Sequence, residues 1–185
     1  MKKIDMRINQ SLVQDWIGKK FTKYCCDPFD FTNSVTQIVG LYIDEDIYAL
    51  TNIQEEVDYF GNKEDIAVLK LAKTENENIK SAFDDVEMIP SPVEGMIASV
   101  KVVNELQKMS IDGEAAYEVW LTRAIVFEVD GREISFEKDV VPFSEEIVIQ
   151  KGYNLIEKIS DNDGFLDDWD EKYEPEYIRE TIDIK

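Results

Sequence analysis

Arg123 and Lys138 stand in a place where cations need partners. Two alternating apolar runs across residues 117–139 flank Asp130-Gly131, the preferred residue pair for a two-residue hairpin turn. In that register Val129 faces Arg132, Phe127 faces Ile134, Ile125 faces Phe136 and Arg123 faces Lys138. Two cations then lie opposite each other on a face otherwise built from Tyr117, Val119, Leu121, Ile125 and Phe127. Like charges in cross-strand contact are unfavourable, and a buried charge without a counter-charge costs several kcal/mol. An anion must therefore sit nearby, with Glu145 or Glu146 as candidates, or the face must open to water there; the functional version is a small anion site for a phosphate or a partner's carboxylate.

Carboxylates are the second chemical resource. Forty Asp and Glu face twenty Lys and Arg, a net charge of −20. Alternation puts Glu133, Glu137 and Asp139 on one strand face, and Glu118 and Glu128 on the matching face of the partner strand. Alternate strand residues are about 6.8 Å apart, so such rows would present dense negative charge, together with Asp167, Asp168 and Asp170 further on. The plain alternative is a solvated face rich in Glu.

A third constellation is Asp161-Asn162-Asp163-Gly164 followed by Asp167 and Asp170. Aligned on Gly164, these residues put Asp161, Asp163, Asp167 and Asp170 at positions 3, 5, 9 and 12 of a calcium-binding loop. Position 1 falls on Ile159, which has no side-chain oxygen, and position 12 is Asp where a bidentate Glu is usual. The set is a calcium candidate with two defects, and a solvated Asp-Gly turn is the competing reading.

Other chemistries lack their residues. There is no histidine, which removes every Ser-His or Cys-His triad and the commonest metal ligand. Cys25 and Cys26 are adjacent, so they make no unstrained bridge and cannot by themselves complete a zinc site. The eight glycines are too dispersed for a phosphate-cradling loop. No cofactor or transition metal is expected.

The elements that position these residues read as mostly β. Ser11 and Gln14 suggest a capping box for a short helix carrying Leu12, Val13, Trp16 and Ile17, ended by Gly18. Residues 23–33 read as a loop with a turn at Asp27-Pro28. Residues 35–43 and 47–53 form a hairpin about Asp44-Glu45-Asp46, and 66–72 make a further strand. Thr74, Glu77, Ile79, Ala82, Phe83 and Val86 have helical spacing. The stretch 91–109 carries both a helical and a strand pattern, with the strand preferred. Residues 147–149 are a short strand, and Pro175 marks a helix start in a polar tail. The expected fold class is α+β and β-rich: antiparallel sheet with a few short helices in a single compact domain. A basic segment covers 1–24, a β-rich core 25–150 and an acidic segment 151–185.

These features converge on a non-enzymatic acidic binding protein. Residues 1–24 hold six basic and two acidic side chains, a local +4, which leaves −24 on residues 25–185. Such a surface repels nucleic acid and anionic membrane, so the expected partner is a basic protein surface. Nucleic-acid mimics and immunity-type inhibitors are two forms of that function. The alternative is a small carboxylate-based enzyme or a structural domain. The N-terminal residues lack the apolar core of a signal peptide, and the expected location is cytoplasmic.

Overall fold

The alternating runs around Asp130-Gly131 fold as the longest-range expectation requires. In the computed structural model, which describes every residue except Asp168, strands β8 (Glu114–Val129) and β9 (Arg132–Lys138) pair antiparallel. Val129 is opposite Arg132, Phe127 opposite Ile134 and Ile125 opposite Phe136. Asp130 and Gly131 both have positive φ (49° and 75°), the backbone that lets a two-residue turn match the twist of its strands.

The remaining strands are β1 (Lys2–Met6), β2 (Lys20–Cys26), β3 (Ser34–Thr36), β4 (Ile38–Ile43), β5 (Asp46–Tyr59), β6 (Asn62–Thr74), β7 (Ile89–Ile111), β10 (Glu146–Gly152) and β11 (Tyr173–Ile184). Helix α1 covers Gln10–Gln14, and 3₁₀ turns cover Asn76–Asn78, Leu155–Lys158 and Asp163–Leu166. Strand residues make up 61% of the chain and helical residues 9%, so the class is nearer all-β than α+β. No described helix is long and apolar enough to cross a membrane.

Several local expectations are corrected. The spacing at 74–86 makes only the single turn Asn76–Asn78, and the following residues run as irregular chain with Phe83 exposed. A helix there would need an apolar surface to cover, and of the spaced residues only Ile79 is buried. Residues 23–26 belong to β2 because Tyr24, Cys25 and Cys26 are buried in the sheet. The helix cap is Asn9, whose side chain accepts from the Ser11 amide. Pro175 lies within β11, opposite Met109. Proline is tolerated there because β11 is an edge strand.

Pairing returns on itself. β4 pairs with β2, β2 with β7, β7 with β8, β8 with β9, β9 with β10 and β10 with β3. Only Gln37, at φ 65°, separates β3 from β4, so the path closes into a barrel. Its interior is apolar: Phe21, Leu41, Val100, Ile125, Phe127 and Phe136 are each 0% exposed. Trp16, just past α1, joins this interior and stacks on Phe127 at 5.5 Å. Burying each such side chain stabilises the fold by roughly 1.5–3 kcal/mol.

β7 and β8 outrun the barrel. The second half of β7 pairs with β11, and the first half of β8 pairs in parallel with β1. These four strands make an extended sheet, and the tip of the β5–β6 hairpin packs on it. At that tip Phe60 has φ 54°, an unfavourable backbone for a bulky side chain. Its ring is buried among Tyr59, Tyr117, Phe165 and Trp169 at centroid distances of 4.6 to 5.7 Å, and that burial offsets the strain.

Candidate functional site

Where the barrel meets the extended sheet, β7 and β8 slip register. Val103 faces Ala124 but Asn104 faces Thr122, so Arg123 is the extra residue of a β-bulge. A bulge re-aims side chains, and here it points Arg123 at acids rather than leaving it opposite Lys138 alone. Its Nη2 donates to Glu137 Oε1 at 3.0 Å, and its Nε lies 3.9 Å from Glu105 Oε1. Arg123, Glu105 and Glu137 are 1%, 0% and 3% exposed, so this is a buried ion cluster.

The cluster extends through Glu105. Arg179 Nη2 donates to Glu105 Oε1 at 3.0 Å, and the Tyr177 hydroxyl donates to the same oxygen at 2.6 Å. Arg179 also binds Asp161 and the carbonyls of Ile159 and Ser160, tying the 159–161 loop to β11. Burial, with Glu105 beside it, pushes the Tyr177 hydroxyl up. Lys138 Nζ donates to the carbonyls of Asp139 (3.2 Å) and Val141 (3.4 Å). Burial first, and then the Arg123 charge, lower the Lys138 amine to about 8. Glu145 does not serve Arg123: it accepts from Gln37 Nε2 and the Gln54 amide. Glu146 is exposed at the start of β10. The expected anion is present, but it comes from Glu137 and Glu105.

Beside the cluster lies a cavity of about 580 Å³. Tyr59, Phe165 and Trp169 supply aromatic wall, and Val140, Val141 and Pro142 supply aliphatic wall. Gln107 and Asn162 contribute polar lining, and the exposed acids Asp161, Asp163 and Asp167 line it as well. A smaller void of about 10 Å³ borders Glu105, Arg123, Lys138, Gln107 and Asn162. Gln107 and Asn162 thus separate the cavity from the ion cluster.

The carboxylate rows expected on the β8–β9 hairpin do not form one outward face. Glu137 is buried against Arg123. Glu118 pairs with Lys3 at 2.7 Å, and Glu128 accepts from the Ser99 hydroxyl at 2.8 Å. Glu133 pairs with Lys101 at 2.9 Å and accepts from the Leu155 amide. Burial opposes ionisation of Glu133, but the Leu155 amide and Lys101 outweigh it and hold the carboxyl below the usual range. Asp139 is half-buried, while Asp167 and Asp170 are exposed. Asp168 lies outside the described residues. Other elements meet these rows: Lys3 of β1 pairs with Glu118, and the Leu155 and Ser160 amides donate to Glu133 and Glu137.

Nor does the calcium candidate assemble. Asp161 is engaged by Arg179 at 3.1 Å, and among the described residues no three Asp, Glu, Cys or His are grouped to hold a metal ion. Gly164 lies within the 3₁₀ turn Asp163–Leu166 rather than at the bend of a coordinating loop.

The chain matches no protein-family model, no curated protein and no solved structure. Its chemistry must be read from its own side chains. Glu105 and Glu137 are held by arginines, and neither lines the large cavity. The residues that do line it offer apolar area, two amides and peripheral acids, which suit binding. Sequence reasoning missed Glu105, Gln107, Asn162, Tyr177 and Arg179. One signal was available: the adjacent pairs Val102-Val103 and Asn104-Glu105 break the alternation that runs through Ser99, Val100, Lys101 and Val102.

Proposed function

We propose that this chain is a non-enzymatic binding protein that takes an uncharged or cationic ligand with a flat apolar body into the cavity beside the ion cluster. The observation that carries this reading is the joining of aromatic walls, from Tyr59, Phe165 and Trp169, to the carboxylates of Asp161, Asp163 and Asp167. Large apolar cavities with a few polar groups are the usual form of ligand sites. A net charge of −20 disfavours anions throughout the surrounding field.

Calorimetric titration with tryptamine and indole-3-acetate tests it, since the two share a ring and differ in charge sign. Tryptamine binds at the cavity and loses affinity in an Asp163→Asn/Asp167→Asn variant, while indole-3-acetate does not bind. Equal affinity for both, or binding that ignores a Phe165→Ala change, rules the reading out.

A second reading keeps a basic protein as the partner. It is favoured by Phe83, 55% exposed, beside Asp84, Asp85 and Glu87, which form no ion pair among the described residues. A basic surface docking there would bind in a steeply salt-dependent manner, and an Asp84→Asn/Asp85→Asn variant would lose most of that dependence.

A further inference from the structure

Two side chains in the cavity have hydrogen-bonding capacity that the fold leaves unused. Gln107 is 2% exposed and Asn162 is 7% exposed, and both line the cavity. The Tyr59 hydroxyl donates to Gln107 Oε1 at 2.6 Å. That bond occupies the amide oxygen and fixes the Gln107 amide with its Nε2 as a spare donor. Among the described residues, neither Gln107 Nε2 nor the Asn162 side-chain amide has a hydrogen-bond partner, and neither is fully sealed from the cavity. Both side chains are more than nine-tenths buried, yet each keeps free hydrogen-bonding capacity where it meets the cavity. Both also border the small void beneath, so they share one end of the cavity.

The free capacities define a complementary edge. Gln107 offers a donor and requires an acceptor from the ligand. Asn162 offers an acceptor oxygen and a donor NH₂. The walls next to them are aromatic: Phe165 and Trp169 meet edge to face, with centroids 5.8 Å apart and planes at 69°, so a ligand ring can lie flat on one and meet the other at its edge. The acids Asp161, Asp163 and Asp167 disfavour an anionic substituent.

We propose that the cavity binds a fused-ring lactam without an anionic group. Its ring lies against Tyr59, Phe165 and Trp169, its carbonyl accepts from Gln107 Nε2, and its N–H donates to Asn162 Oδ1. This inference rests on the reading of the cavity as a ligand site and adds what the polar end selects. A site built to hydrogen-bond a ligand rejects the analogue that lacks the group, because its own buried amides are then left unpaired.

Three probes of similar shape test it: 2-quinolone, naphthalene and 2-quinolone-4-carboxylate, each titrated into the full chain by calorimetry and ligand-observed NMR. 2-Quinolone is expected to bind at least about tenfold more tightly than naphthalene, and the carboxylate to bind weakest. Gln107→Met and Asn162→Ala should each narrow the gap between 2-quinolone and naphthalene, by weakening 2-quinolone and not weakening naphthalene. Gln107→Met also removes the partner of Tyr59, so thermal melting checks that it folds, and Asn162→Ala gives the same readout from an independent position. If tryptamine binds but 2-quinolone is no better than naphthalene, or if neither variant changes the ratio, the lactam assignment is wrong while the cavity reading stands. If tryptamine and all three probes fail to bind at millimolar concentration, both are wrong.

Discussion

The same two strands, β7 and β8, build two different interiors. Inside the barrel they contribute Val100, Val102, Ile125 and Phe127, all 0% exposed and part of one apolar cluster. Past the bulge at Arg123 they contribute Asn104, Glu105, Gln107, Thr122 and Arg123, equally buried but polar, beside the apolar Leu106, Met109, Val119 and Leu121. The first interior is held by packing alone. The second must satisfy ions with ions, and replacing such clusters by apolar residues often leaves a protein no less stable. On the reading proposed above, the cavity next to it, with the free amides of Gln107 and Asn162, gives the polar interior a use.

That contrast can be broken at graded cost. Phe127→Ala, at the centre of the barrel, should lower stability by about 4 kcal/mol in denaturant titration and leave tryptamine affinity unchanged in the folded fraction. Arg123→Ala should cost about 3 kcal/mol, because Glu137 is left as a buried charge without its partner. An Arg123→Met/Glu137→Leu pair should recover most of that loss. If it does not, the ion cluster contributes more to stability than its burial predicts, and the two interiors are less different than they look.

Lys138 gives a smaller effect with a definite sign. Its folded-state pKa is lowered to about 8 from the model-peptide value of 10.5. Between those values the unfolded chain keeps a proton that the folded chain has lost, so stability rises with pH. Lys138 alone contributes about 2 kcal/mol of gain from pH 8 to 10. The Cys26 thiol, which burial pushes up to about 12, and the Tyr59 and Tyr177 hydroxyls, which burial also pushes up, oppose it as pH rises. The measurement is therefore the difference between the wild type and Lys138→Met, which should widen by that amount. The smallest effect is expected at the hairpin surface. Breaking the exposed Lys63–Glu56 pair by Lys63→Ala should change stability by less than about 0.5 kcal/mol.

The hairpin at 117–139 was legible because alternation and a turn dipeptide agree over a short span. The need for an anion near Arg123 was legible too, since a cation within an apolar run is a local contradiction. Its true partner was not. Glu105 reaches Arg123 only through the β7–β8 register, and the bulge resets the parity on which face assignments depend. Ring closure was also hidden, because β3 has three residues and no feature of Ser34–Thr36 specifies β10 as its neighbour. The helix expected at 74–86 failed because spacing alone does not supply a surface to pack on. The cavity draws Tyr59, Gln107, Val140 and Phe165 from four separate stretches, and no one-dimensional pattern joins them.

Closure of the barrel also governs how the chain reaches this state. The seam between β3 and β10 is fastened at its end by Asn33, whose side-chain amide donates to the Ile149 carbonyl 116 residues away. Loop-closure entropy must be overcome before such a contact gives any return, and folds dominated by distant pairings fold in milliseconds to seconds rather than microseconds. Local hairpins such as β5–β6 and β8–β9 can form early. The seam pairs segments far apart in the chain, so its closure costs more entropy than that of either hairpin. A barrel with its seam open would expose β3 and β10 as unpaired edges, the kind of surface that promotes self-association.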